Sequence, residues 1–141
     1  MSREDMNIWI VDDDDINNFV CERFLKNRQE VRTVKSILSA EEALDLLEQG
    51  PEPAPHLIIL DVNMPTLNAW EFLPHFRNLM APVSKDRQPA IVLLTSSLNE
   101  DDRTKAEEAE EIIGFLPKPI TSEIIDRIFN EFHGAQTRSE S

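Results

Sequence analysis

The 141-residue chain is poor in cysteine, in cations and in uninterrupted apolar sequence. Cys21 is its single cysteine, so neither an intramolecular disulfide nor a cysteine-ligated zinc site can form within it. It falls inside an apolar helical pattern and reads as a small buried hydrophobe, not as a reactive thiol. Lys and Arg number 14 against 27 Asp and Glu, a formal net charge of −13. That argues against duplex DNA as a direct partner, because affinity there rests on cations neutralising phosphates. An anionic membrane surface is disfavoured on the same ground. No apolar run approaches a membrane span, and Met1-Ser2-Arg3-Glu4-Asp5 is too polar for a signal peptide. The expected location is therefore the cytoplasm. Such a charge favours a divalent cation or a basic partner surface.

What is present is a regular alternation. At this length, with 40% apolar residues, the chain fits one domain with a proper core. Asn7 to Val11, β-branched and aromatic, predicts a first strand that ends at four successive carboxylates, Asp12 to Asp15. Ile16, Phe19, Val20 and Phe24 then recur at helical spacing and predict one buried helix face, capped by Asp14 or Asp15. Val31 to Val34 predicts a short second strand. Ser39-Ala40-Glu41-Glu42 resembles a capping box, followed by the stripe Ala43, Leu44 and Leu47 and a stop at Gly50.

After a proline-rich turn at 51–55, Leu57-Ile58-Ile59-Leu60 is a continuous apolar run, as expected of a strand covered on both faces. It ends on Asp61. Trp70, Phe72, Leu73 and Phe76 predict a third helix, kinked or shortened at Pro74. Leu79 to Gln88 reads as a longish loop, and Ala90 to Leu94 as another buried strand closing on Thr95. Asn99 to Asp102 opens an acidic helix, Ile112 to Leu116 is the fifth strand, and Ile124, Ile125, Ile128, Phe129 and Phe132 line the last helix. Residues 134–141 are polar and predict a frayed tail. Five strand–helix alternations with short connections predict an α/β fold, a doubly wound parallel sheet with helices on both faces.

In such a sheet the carboxyl ends of the strands share one edge. The residues there are Asp12 and Asp13, Asp61, Thr95 and Lys118. An aspartate closing a single strand is ordinarily a cap or turn residue. Three carboxylates, a hydroxyl and an amine closing four strands are a different matter. Bunched carboxylates disfavour each other's ionised state unless a cation intervenes, and an all-oxygen set of this kind suits Mg2+. The chemistry it supports is phosphoryl transfer to a carboxylate: Asp61 attacks phosphorus while a metal and Lys118 neutralise the equatorial oxygens.

Four pieces in order, Val11-Asp12-Asp13-Asp14, Leu60-Asp61-Val62-Asn63-Met64-Pro65, Leu94-Thr95-Ser96-Ser97 and Lys118-Pro119-Ile120, make the sequence resemble the receiver domain of bacterial two-component response regulators. The resemblance covers residues 6–133, with 134–141 as a tail and no output domain, and implies a flavodoxin-like sheet of strand order 2-1-3-4-5. It also implies the roles. Asp61 looks like the phosphoacceptor. Asp12, Asp13 and the backbone carbonyl of Asn63 look like the ligands that hold Mg2+ (or Mn2+) beside Asp61. Thr95 and Lys118 look like the pair that senses the phosphoryl group, and Phe115 like the aromatic whose rotamer follows Thr95. The Lys118-Pro119 bond is expected to be cis. The implied phosphodonor is a sensor histidine kinase or a histidine phosphotransfer protein. A downstream protein would read the surface of the fourth helix, fifth strand and fifth helix, and dimerisation is left open. No catalysis is implied beyond phosphorylation and dephosphorylation of the chain's own aspartate.

Some residues depart from the family's common pattern. Ala69 stands where many members have Gly, and would cost about 1 kcal/mol if that position needs positive φ. Phe115 lacks the hydroxyl of a tyrosine. Asn63 and Ser97, two residues beyond Asp61 and Thr95, imply a phosphoryl group of moderate accessibility. The competing enzyme reading is a Mg2+-dependent phosphohydrolase with an aspartyl-phosphate intermediate. Asp12 and Asp14 supply its D-x-D, but Ile16 stands where Thr or Val is usual, and Asp61 and Thr95 are left with less obvious work. An EF-hand loop starting at Asp13 fails at Asn18, where Gly is needed, and at Phe24, where Glu is needed. His56, His75 and His133 follow no metal or catalytic spacing.

Overall fold

The computed structural model describes residues 5–140, with side chains through residue 135. Strands β1 (Met6–Val11), β2 (Val31–Ile37), β3 (Leu57–Asp61), β4 (Ala90–Thr95) and β5 (Ile112–Pro117) alternate with helices α1 (Asp15–Lys26), α2 (Ala40–Glu48), α3 (Ala69–Met80), α4 (Glu100–Glu108) and α5 (Ser122–Glu140). All strand pairs are parallel and the sheet order is β2-β1-β3-β4-β5, as expected from the sequence. The chain reverses direction across the sheet at β1, and a ligand crevice forms beside such a switch point, outside the carboxyl ends of the strands.

The continuous apolar runs are explained by two cores, one on each side. Along β3, Ile58 and Leu60 point to a core shared with Phe72, Phe76, Ala40 and Ala43 of α3 and α2. Leu57 and Ile59 point to the other, with Cys21 and Leu25 of α1 and Ile125, Ile128 and Phe129 of α5. Successive side chains of a strand face opposite ways, so a strand covered on both faces must be apolar at every position. Each such Ile, Leu or Phe contributes about 1.5–3 kcal/mol by its burial. Cys21 is buried, and burial, with the Asp12 and Glu22 charges adding to it, pushes its thiol up to about 12, which leaves it an inert hydrophobe.

Several local expectations are corrected. On α1 the helical period is right and the phase is half right: Val20 and Phe24 pack against the core, Ile16 and Phe19 do not. The buried residues are Asn18, Cys21 and Leu25, while Ile16 is 76% and Phe19 61% exposed. The buried stripe lies one residue round, because Asn18 turns inward to donate from Nδ2 to the carbonyl of Asp12 at 2.9 Å. Pro74 neither breaks nor shortens α3, which runs 12 residues; it lies on the solvent face, where the carbonyl it leaves unpaired can turn to water. Phe72 and Phe76 stack across the same turn with centroids 5.6 Å apart. The 79–88 segment is not a loose loop: it carries a 3-10 turn at Lys85–Arg87, and Gln88 Nε2 donates to the carbonyls of Met80 and Val83. At the other end, α5 continues to Glu140 through most of the stretch expected to fray.

Ala69 does not strain the backbone. Among the described residues only Gly50 has positive φ, and Ala69 is the first residue of α3, its N–H closing the preceding loop on the Val62 carbonyl at 3.1 Å. Asn68 caps the helix in a reciprocal box, its side chain accepting from the Glu71 N–H while the Glu71 carboxylate accepts from its own N–H, both at 2.9 Å. Asn68→Ala removes one arm of that box, and a loss of about 1 kcal/mol is expected in the urea unfolding free energy. An unchanged midpoint would mean that the box does not hold the helix start.

The least anchored helix is α4. Its single buried residue is Ala106, its first turn carries Glu100, Asp101 and Asp102, and Asn99 caps it. What ties it across to α3 is polar: Trp70 Nε1 donates to Asp102 Oδ1 at 2.9 Å, and the Lys105 ammonium sits 5.5 Å from the centre of the Trp70 ring. Among the described residues no helix is long and apolar enough to cross a membrane.

Candidate functional site

Register brings the strand ends level. Ile8 to Val11 pair with Leu57 to Leu60, so Asp12 and Asp61 each follow the last paired residue of neighbouring strands. Thr95 is opposite Pro117 on the next pair, which puts Lys118 one residue past that edge, its N–H on the Thr95 carbonyl at 2.8 Å. Asp12, Asp13 and Asp61 each offer a carboxylate oxygen, all within 4.8 Å of one another. Ligands on opposite sides of an octahedral Mg2+ are about 4 Å apart, so small side-chain adjustments bring these oxygens to one ion.

Asp12 is 2% exposed and Asp61 7%. Lys118 lies between them, its Nζ 2.7 Å from Asp12 Oδ2 and 3.3 Å from Asp61 Oδ1. Asp12 is held on every side: Oδ1 accepts from the Asp14 N–H at 2.9 Å, and Oδ2 accepts from Asn17 Nδ2 at 2.8 Å as well as from Lys118. Burial raises the Asp61 carboxyl above its usual range, and the Asp12 charge raises it further, while Lys118 and the Asn63 N–H, which donates to it, pull the other way. Burial alone would lower the Lys118 ammonium; its hydrogen bond to Asp12 and the charges of both aspartates outweigh that and raise it. The lysine is therefore a fixed positive charge between two carboxylates, held at the position from which it could meet an anion on Asp61.

The residues picked out from the sequence separate here into two groups. Asp12, Asp13, Asp61 and Lys118 converge. Thr95 is at the same edge and buried, but its hydroxyl is turned to its own turn, donating to the Ser97 carbonyl at 3.1 Å and accepting the Ser97 N–H at 3.0 Å. Phe115 is half-buried on β5, packed against the core beneath α3 and α4, with the Arg103 guanidinium 5.8 Å from its ring centre. Asp14 is the N-cap of α1, accepting the N–H groups of Ile16 and Asn17. The Lys118-Pro119 bond is cis, as is Glu52-Pro53. Sequence reasoning missed Asn17 and Asn18, which reach Asp12 from α1. Their signal was available as two adjacent amides just after an acidic run, but adjacent polar residues in a first helical turn usually face water.

Comparison with known proteins agrees with this fold. The family model described as the response regulator receiver domain matches residues 8–129. The chain is 30% identical over 127 residues to an uncharacterized 14.6 kDa protein of Leptolyngbya boryana, covering 90% of this chain and 89% of that one. It is 32% identical over 74 residues to the response regulator mcs4 of Schizosaccharomyces pombe, a match to 52% of this chain that spans only 13% of that protein's length. Among solved structures, a two component response regulator from Cytophaga hutchinsonii is similar with a TM-score of 0.79 and 28% identity, covering 91% of this chain and 96% of that one. The chemotaxis protein CheY4 of Vibrio cholerae shares the fold at a TM-score of 0.71 and 20% identity, covering 90% and 98%.

Proposed function

Because the chain belongs to the response regulator receiver family, we propose that it is a phosphorylation-switched interaction module whose phosphoacceptor is Asp61. One observation carries the reading: a nearly buried strand-end carboxylate lies 3.3 Å from the Lys118 ammonium and shares a set of oxygens within 4.8 Å with Asp12 and Asp13. The donors are all hard oxygens, which fits Mg2+ or Mn2+ held by Asp12, Asp13, Asp61 and the Asn63 carbonyl. A bound ion would supply charge neutralisation at the phosphoryl oxygens. The rest is done by the chain. An Asp61 oxygen forms a bond to the phosphorus of a phosphohistidine as the P–N bond breaks, and the freed imidazole takes up a proton. Lys118 moves from the Asp12 carboxylate to a phosphoryl oxygen, a shift its position between the two aspartates makes short.

The phosphodonor in this reading is a protein, a sensor histidine kinase or a histidine phosphotransfer protein. Ile16 and Phe19 on α1, Leu38 after β2 and Leu98 after β4 are the exposed large apolar side chains among the described residues, and the loops and helix start that carry them belong to the same sheet edge as Asp61. An apolar rim round an acidic site suits a macromolecular donor better than a small phosphate ester. The hydrolase alternative is weakened by Asp14, whose carboxylate is engaged in capping α1 and so does not serve as the second carboxylate of a D-x-D motif.

The switch runs through Thr95. A phosphoryl group on Asp61 offers its hydroxyl a charged acceptor in place of the neutral Ser97 carbonyl, and charge-assisted hydrogen bonds are about twice as strong as neutral ones. As Thr95 turns, Phe115 follows inward, and the α4–β5–α5 surface changes with it. Taking such an equilibrium from 1:99 to 99:1 requires roughly 5.5 kcal/mol of differential interaction. The sparse anchoring of α4 keeps the opposing cost small.

Incubation with acetyl phosphate and Mg2+ is expected to leave one phosphoryl group per chain by intact mass, mapped to Asp61, with amide NMR shifts moving at Phe115 and across 106–109. Repeated turnover of phosphate monoesters would sink the receiver reading, and stationary shifts at Phe115 would remove the switch from it.

A further inference from the structure

We infer that Asn17 is a positioning residue that holds Asp12 in place so that a divalent cation can be taken up and Lys118 can leave. The inference rests on the phosphoacceptor reading above and adds to it a residue that the family motifs quoted earlier do not include.

The reasoning starts at Asp12 Oδ2. It is a carboxylate oxygen in a nearly sealed position, and two donors share it: Lys118 Nζ at 2.7 Å and Asn17 Nδ2 at 2.8 Å. A carboxylate only accepts, so the Asn17 amide must present its NH2 group there. Lys118 cannot serve Asp12 and an anion on Asp61 equally. When it swings to Asp61, a buried carboxylate oxygen would be abandoned, and a buried acceptor left without a donor costs free energy that opposes the swing. Asn17 removes that opposition because it stays. It is neutral, so it adds no positive charge to compete with a cation for the same carboxylate, and it is itself half-buried.

The neighbouring residue supports the same geometry from behind. Asn18 donates to the Asp12 backbone carbonyl at 2.9 Å, and its Oδ1 is the one buried side-chain oxygen or nitrogen without a partner among the described residues. A buried polar atom without a partner is a standing cost, and α1 accepts it at the position that faces Asp12. Main chain and side chain of Asp12 are thus pinned by two successive amides on the first turns of α1, while the Asp14 N–H fixes the other carboxylate oxygen.

The test uses the full chain and Mg2+ alone as the probe. Asn17→Ala is expected to weaken Mg2+ binding roughly ten-fold by calorimetric titration, the usual scale for a residue that orients a metal ligand. Its thermal midpoint should hold, since Ala is the better helix former at a half-exposed position. Asn17→Gln, which restores an amide NH2 on a longer tether, should recover most of the affinity. With acetyl phosphate the Mg2+ concentration giving half the maximal rate should rise in the same proportion. Unchanged Mg2+ affinity in Asn17→Ala, or no recovery in Asn17→Gln, would each overturn the inference. Failure of the wild type itself to bind Mg2+ or to accept phosphoryl would instead overturn the phosphoacceptor reading.

Discussion

Asp61→Asn is expected to accept no phosphoryl group and yet, at neutral pH, to unfold at a higher urea concentration than the wild type. The first result follows from chemistry: an amide offers no carboxylate oxygen to bond to phosphorus. The second follows from the sign of the Asp61 shift. Burial and the Asp12 charge raise its folded-state pKa above the ordinary aspartate value. A carboxyl with a raised folded pKa stabilises the fold fully below its unfolded pKa and loses that contribution as pH rises through the folded value. At neutral pH the ionised Asp61 is therefore a cost, and Asn, which cannot ionise, avoids it. Because the site opens to solvent on one side, the gain is discounted to about 1 kcal/mol, on the scale found when a functional site is relieved of its strain. Urea unfolding of both proteins at neutral and at acid pH checks this: the gain should shrink towards zero in acid. An equal midpoint at neutral pH would mean that Lys118 already neutralises Asp61.

Lys118→Ala should act in the opposite sense and more strongly. Asp12 and Asp61 are nearly buried and share that one ammonium, so removing it leaves two carboxylates facing each other with amide donors only. Breaking a buried ion pair from one side typically costs several kcal/mol; with the site open to solvent, a loss of about 2–3 kcal/mol is expected at neutral pH. In the variant the Asp61 carboxyl loses the ammonium that holds its already raised folded pKa down, so the deficit should lessen as pH falls and a proton replaces the missing charge. Mg2+ should also recover part of the midpoint, by preferential binding to the folded state. Urea curves with and without Mg2+, at neutral and acid pH, read all three effects. A deficit indifferent to both would place the role of Lys118 in packing and not in charge.

The fold was largely legible because its rules are local and repeated. Apolar runs closed by Asp61 and Thr95 specified doubly covered strands, alternation with helices specified a parallel sheet, and the strand order it has is the one the family resemblance implied. The converging residues were legible for the same reason: a parallel sheet collects its strand ends, so Asp12, Asp13, Asp61 and Lys118 could be placed together from their positions along the chain. What escaped were tertiary decisions. Ile16 and Phe19 face solvent because Asn18, a polar residue, occupies the buried stripe of α1, and a hydrophobic period cannot register an inward-facing amide. Pro74 reads as a helix breaker, yet packing of Phe72, Leu73 and Phe76 on the core holds the turn regardless. The idle Thr95 hydroxyl depends on a hydrogen bond to its own turn that no spacing encodes.

The tie between Trp70 and Asp102 has an optical consequence. The chain contains no tyrosine and two tryptophans, so its near-ultraviolet emission comes from two indoles. One of them, Trp9, is sealed inside β1 and should change little. The other has its ring N–H on a carboxylate of α4 and a lysine ammonium beside its ring, two charges whose field sets its emission colour. The chain thus carries its own dye, placed where α3 meets α4, and a motion of that helix can be followed by colour without any label attached.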